Sequence, residues 1–192
     1  MLFPLSADDL TDVLPPESVL RTDPVVAAEV LGDPAAVAFL SAVGLPWCGG
    51  LFQLSAELAD AATLALADNR VIESGGAPGV VETELGELGS LGSLGYTLVY
   101  VRRADGVVVA TSESTDAEYE VLHTDVSSLA AMLLMIEQRT PAEALDYAEG
   151  LAVYGPAAKE IEARVRAVDP APFADDRGFW RNFIDEWSVG MF

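Results

Sequence analysis

Apolar positions repeat with a helical period at both ends of the chain and with a strand-like period in its middle. Val37, Leu40 and Val43 form a stripe between Asp33-Pro34 and Gly44. That pattern predicts a helix with an aspartate cap, proline at its first position and a glycine stop. Leu45-Pro46-Trp47 then turns the chain into Leu51-Phe52-Gln53-Leu54, a short apolar run that reads as a strand. Upstream, Pro4, Pro15, Pro16 and Pro24 predict short helices and irregular chain. Ser55 to Asn69 is rich in alanine and leucine and can form a helix, and Ser74 to Gly79 reads as a loop. From Val81 the period becomes two: Val81, Thr83 and Leu85 alternate with Glu82 and Glu84, as in a half-exposed strand. Gly86 to Gly95, with leucine and glycine recurring every third residue, reads as a flexible loop between strands.

Tyr96 to Arg103, the turn Ala104-Asp105-Gly106 and Val107 to Thr111 predict a hairpin, and Glu118 to Leu122 a third antiparallel strand. Beyond it, Leu129, Met132, Leu133 and Ile136 recur at helical spacing. Thr140-Pro141-Ala142-Glu143 has the form of a capping box, so a new helix is expected there. Pro156 is expected to open another, running towards Val168. After Pro170 and Pro172, a last helix from Asp175 carries Phe179, Trp180, Phe183, Ile184 and Trp187 on one broad face, expected to cover a side of the sheet. There is no domain linker and no repeat. The expected fold is a single α+β domain over residues 1–192, with a mainly antiparallel central sheet flanked by N-terminal and C-terminal helices.

A chain of 192 residues buries enough apolar surface to need no metal or disulfide. Its one cysteine, Cys48, allows no intrachain disulfide and suits a reducing cytoplasm. The first ten residues include Asp8 and Asp9, and no basic residue precedes Arg21, unlike a signal peptide. Pro34 to Ala56 is uncharged, but Gly44, Pro46, Gly49 and Gly50 interrupt it, so it reads as buried core and not as a membrane span. A cytoplasmic location is therefore expected. The formal charge of −21 changes the functional picture most. A protein that grips nucleic acid needs a basic footprint, and an anionic membrane would repel this chain. Neither is expected as a partner. A basic protein is the natural one, although acidity also serves solubility alone.

Catalytic chemistry finds little support. His123 is the sole histidine, so any histidine metal site or nucleophile–histidine–acid triad would have to be built around it. Its place at a strand end favours a structural or surface role. Cys48 has no basic neighbour in sequence to activate it. The glycine-rich stretch lacks a Gly-Lys-Ser/Thr ending and precedes a strand, so it is not a phosphate loop. Glu118 and Glu120 point the same way on a strand, with Glu113 and Asp116 just before them. Such carboxylates can form a solvated face, a patch for a basic partner, a hard-cation site or an acid–base pair.

Three segments carry a resemblance. Ala38-Phe39-Leu40-Ser41-Ala42-Val43-Gly44-Leu45-Pro46 with Leu51-Phe52 resembles the opening of the SUKH superfamily, in particular its fourth group of bacterial immunity proteins. Leu98-Val99-Tyr100-Val101, Asp105-Gly106 and Val107-Val108-Val109 are similar to the family's central hairpin. Glu120 to Leu129 resembles the strand and polar cap that lead into the following helix. The resemblance spans about residues 33–138, leaving 139–192 as a helical C-terminal extension. It implies an α+β fold, no catalytic residues, no cofactor and no metal, and a role in neutralising a toxin, often a nuclease. The partner-binding candidates are then Glu82, Glu84, Glu113, Asp116, Glu118 and Glu120, facing a basic cognate toxin. A regulatory or scaffold module of the same fold is the alternative, and a carboxylate-dependent hydrolase a third reading.

Overall fold

The computed structural model describes residues 1–66, 69–72, 79–111, 119–141 and 147–190. Side-chain caps open its first helices. Ser6 and Asp9 form a reciprocal capping box at α1 (Ala7–Thr11), Asp23 caps α2 (Pro24–Leu31) and Asp33 caps α3 (Pro34–Ala42). The Asp33 carboxylate accepts from Ala36 N at 2.7 Å, satisfying a helix-end donor that would otherwise be unpaired. Gly44 follows at φ +92, and a Cβ there would press on the Leu20 carbonyl, so glycine is required by conformation and by contact.

Two short strands that the apolar pattern does not reveal, β1 (Val19–Leu20) and β2 (Leu45–Pro46), form an antiparallel ribbon. The stretch 55–69 does not begin as a helix. Its first residue ends β3 (Phe52–Ser55), and among its described residues only Ala61–Ala65 is α-helical (α4), begun by Asp60 and tied to Arg21 through the Thr63 hydroxyl. The main sheet adds β4 (Val71–Ile72), β5 (Val80–Thr83), β6 (Gly86–Leu94), β7 (Thr97–Arg102), β8 (Val108–Thr111) and β9 (Tyr119–His123). Its order is β4-β3-β6-β7-β8-β9, with β5 also on β6, and every pairing is antiparallel except β3 with β4.

The expected loop at 86–95 is instead β6, a central strand. Its glycines admit neighbouring backbone. A side chain at Gly89 would strike the Val30 carbonyl of α2, and one at Gly92 the Gln53 carbonyl of β3. The three-residue leucine period also has a cause. The register with β7 slips between Ser90 and Gly92, so Leu88 joins a cluster with Tyr100 and Val109, whereas Leu91 and Leu94 join the principal core.

That core runs through the whole chain, from Leu10 through Phe52, Val101 and Leu133 to Ile161 and Trp180. The helix α5 (Val126–Arg139) is buried on every side from Val126 to Ile136, beyond the stripe its spacing indicates. The capping-box helix expected from residue 140 falls largely on 142–146, outside the described residues. Pro156 does not open a helix: it lies inside α6 (Tyr147–Val168). Proline deprives the Ala152 carbonyl of its helical partner, but both residues face solvent, where water replaces that bond. The last helix, α7 (Phe179–Ser188), starts four residues later than Asp175. Its Trp180, Ile184 and Trp187 are buried, with Trp187 against Tyr154 of α6 and Trp180 against His123. No helix among the described residues is long and apolar enough to cross a membrane.

Candidate partner-binding surface

Of the six carboxylates singled out from sequence, Glu82 and Glu84 are exposed on the β5–β6 hairpin. Glu82 stands opposite Glu87 in the strand register, a like-charge pair whose one ion-pair partner among the described residues is Arg103, 3.7 Å from Glu87. Glu113, Asp116 and Glu118 lie outside the described residues. Glu120 lies four strand steps from Glu82, on the order of 19 Å at ~4.8 Å per step, so these two do not share a contact point.

Glu120 also has a structural task. Its carboxylate accepts from Phe179 N at 3.0 Å and so caps α7 from across the sheet edge. Gly178 lets the helix approach, because a Cβ there would lie 3.0 Å from Glu120 Oε2. Burial pushes the Glu120 carboxyl up, the Phe179 N–H opposes this, and nearby Asp175 adds to the rise. The sequence pairs Glu120 with Glu118 by alternation; its tie to residue 179 has no local signal.

The polar centre of the molecule lies under β9. His123 is fully buried, its Nδ1 2.9 Å from Ser128 Oγ and 3.6 Å from Asp169 Oδ2. Asp169, equally buried, accepts from Thr124 N at 2.9 Å, from the Thr124 hydroxyl at 2.7 Å and from Ala171 N at 3.1 Å. Burial alone would raise its pKa, yet hydrogen bonds from His123, Ser128 and Thr124 prevail and hold it far below the carboxylate range. For His123 burial prevails over the attraction of Asp169, so its pKa is lowered and the ring stays neutral.

Serine, histidine and aspartate thus meet, but not as a triad. A triad places acid and nucleophile on opposite ring nitrogens beside a substrate space. Here both sit at Nδ1, Nε2 has no hydrogen-bond partner among the described residues, and the ring is closed to solvent. The cluster instead clamps the end of α6 to the β9–α5 junction. Cys48 donates its thiol to the Leu133 carbonyl at 3.0 Å, and burial raises its pKa, so it is not activated. Trp47 is half-buried against the core beneath the Arg70 guanidinium. Among the described residues no group of three or more His, Cys, Asp or Glu is arranged to hold a metal.

An α+β fold with exposed carboxylates on a strand hairpin and, among the described residues, no assembled catalytic set is the class these observations define. Residues 5–186 match the family model of the SUKH-4 immunity protein, and the chain belongs to that family. The match takes in most of α7 as well as the sheet. No curated protein and no solved structure shows significant similarity to the chain. Immunity proteins act in general by binding a cognate toxin and not by catalysis.

Proposed function

We propose that this protein neutralises a cognate toxin of basic, nuclease-type character by covering its phosphate-binding surface with exposed carboxylates. The observation that carries the reading is the uneven charge. Residues 1–125 contain 20 acidic residues against four arginines, whereas 126–192 contain 11 against six lysines and arginines. Glu82 and Glu84, exposed and in no ion pair among the described residues, belong to this more acidic part. A nuclease groove is basic because it holds phosphates, and opposite potentials speed encounter and reject other partners. The candidate contact residues remain Glu82, Glu84, Glu113, Asp116, Glu118 and Glu120, with Glu120 doubly engaged through α7.

The test is a pull-down from the native host with tagged protein at low and high salt. Recovery of one basic protein, released as salt rises, whose toxicity the tagged protein suppresses, is the expected result. A neutral or acidic partner, or a toxin bound equally at all salt concentrations, would overturn the charge-mimicry reading.

A further inference from the structure

The outer edge of β9 offers a place for an extended chain. β9 ends the sheet, and among the described residues that edge pairs with no other strand. Past its C-terminal end the chain is covered, where Thr124 N donates to Asp169. Beside Glu120 and Val121, however, a groove of about 480 Å³ separates the strand from the segment 171–178. Its walls are apolar on both sides: Val121, 45% exposed, on the strand, and Ala171, Pro172 and Ala174 on the segment. Glu120 and Asp175 add two carboxylates, and neither forms an ion pair with a lysine or arginine among the described residues. The groove is also preformed, since Glu120 is fixed by Phe179 N and Asp175 by Arg177 N at 2.8 Å.

We propose that an extended, cationic segment of a partner protein adds to β9 as a further strand. It seats apolar side chains against Val121 and Pro172 and a lysine or arginine between Glu120 and Asp175. The occupant is deduced from two features. An open strand edge offers alternating main-chain donors and acceptors, which an extended backbone satisfies and a helix cannot. Two carboxylates without a cation, beside apolar walls, select a chain that alternates apolar and basic residues. The inference deepens the toxin-binding reading and rests on it for the identity of the partner, though not for the chemistry of the groove.

A short synthetic peptide alternating valine and arginine, titrated into the isotope-labelled full chain, tests the groove directly. Amide shifts should concentrate at 120–122 and 171–178, with slowed amide exchange along β9. Asp175→Lys should weaken binding about fivefold, and Glu29→Lys, exposed on α2 and outside every candidate contact, should leave it unchanged. Glutamate in place of arginine in the peptide should abolish binding. Absence of shifts at these residues, or equal binding of the glutamate peptide, would overturn the proposal. The two readings also fail separately. If the basic toxin captured from the host binds Val121→Lys and Asp175→Lys like the parent protein, the groove is not its site and toxin binding stands. If the groove takes the arginine peptide but no basic toxin is recovered, the toxin reading falls and the groove stands.

Discussion

Carboxylates of the C-terminal helices and those of the sheet lead different lives. In the helices Glu160 meets Arg139 at 2.7 Å and Arg164 at 3.7 Å, Glu162 meets Arg166 at 2.9 Å and Arg181 at 3.0 Å, and Asp169 is buried among donors. On the sheet, Glu82 faces Glu87, and the arginine nearby, Arg103, lies 3.7 Å from Glu87. The fold absorbs the first set. The second includes a like-charge pair that costs the fold some stability and leaves negative charge free to meet a partner. Substitutions should accordingly separate: those in the helical region act on stability, those on the sheet act on association.

The largest effect expected is that of Asp169→Ala. It strands the Thr124 N–H and hydroxyl, Ala171 N and His123 in a buried site. Breaking such a buried cluster costs about 3–5 kcal/mol, or roughly 6–20 °C in Tm for a chain of this size. Glu160→Ala, which breaks surface pairs, should cost less than about 1 kcal/mol. Denaturant unfolding of both variants checks the contrast, and equal losses would show that Asp169 is no clamp.

Acid should reveal the same cluster through its protons. The folded chain holds His123 neutral, while in the unfolded chain this residue takes up a proton below about pH 6.5. The unfolded state then binds more protons, so stability falls as pH drops through that value, by up to about 1.4 kcal/mol per pH unit. Asp169 adds a second loss of the same sign. Its contribution is complete above the ordinary carboxylate pKa of about 3.9 and declines as pH falls below it, towards its depressed folded value. A His123→Gln variant should flatten the stability profile between about pH 6.5 and 5 and leave the lower-pH loss in place. An unchanged slope in that variant would assign the acid sensitivity elsewhere.

Glu120 belongs to both regions, and its variants measure the overlap. Glu120→Ala removes the cap of α7 and should cost about 0.5–2 kcal/mol, whereas Glu120→Gln keeps an acceptor and should cost less. Unfolding followed by the fluorescence of buried Trp180 and Trp187 compares the two. Equal stability of both variants and the parent would show that Phe179 N needs no cap, freeing Glu120 for the partner alone.

Which of these features can be read from sequence follows from how local they are. Asp33 to Gly44, the hairpin around Asp105-Gly106 and the helix after Asp125 announce themselves within a dozen residues, because cap, period and stop lie together. β6 does not. Its glycines are required by backbone at Val30 and Gln53, tens of residues away, so in sequence they read only as flexibility. Asp169 meets Thr124 across 45 residues and Glu120 meets Phe179 across 59, and neither pair has a spacing that signals contact. The exposure of Glu82 and Glu84 was legible in the alternation with Val81 and Leu85, since a half-buried strand must turn every second residue outwards.

The smallest stability change expected is a gain, and it separates the two regions most sharply. Like charges directly opposite on paired strands are destabilising, so Glu82→Lys, which creates an ion pair with Glu87, should stabilise the chain by about 0.2–1 kcal/mol. If the sheet side carries the partner-facing potential, the same substitution should slow association with a basic toxin, most strongly at low salt, while the dissociation rate changes little. Stopped-flow association alongside denaturant unfolding reads both quantities from one variant. A gain in stability with unchanged association would mean that the Glu82–Glu87 repulsion serves no partner, and the contact surface would then have to lie towards β9.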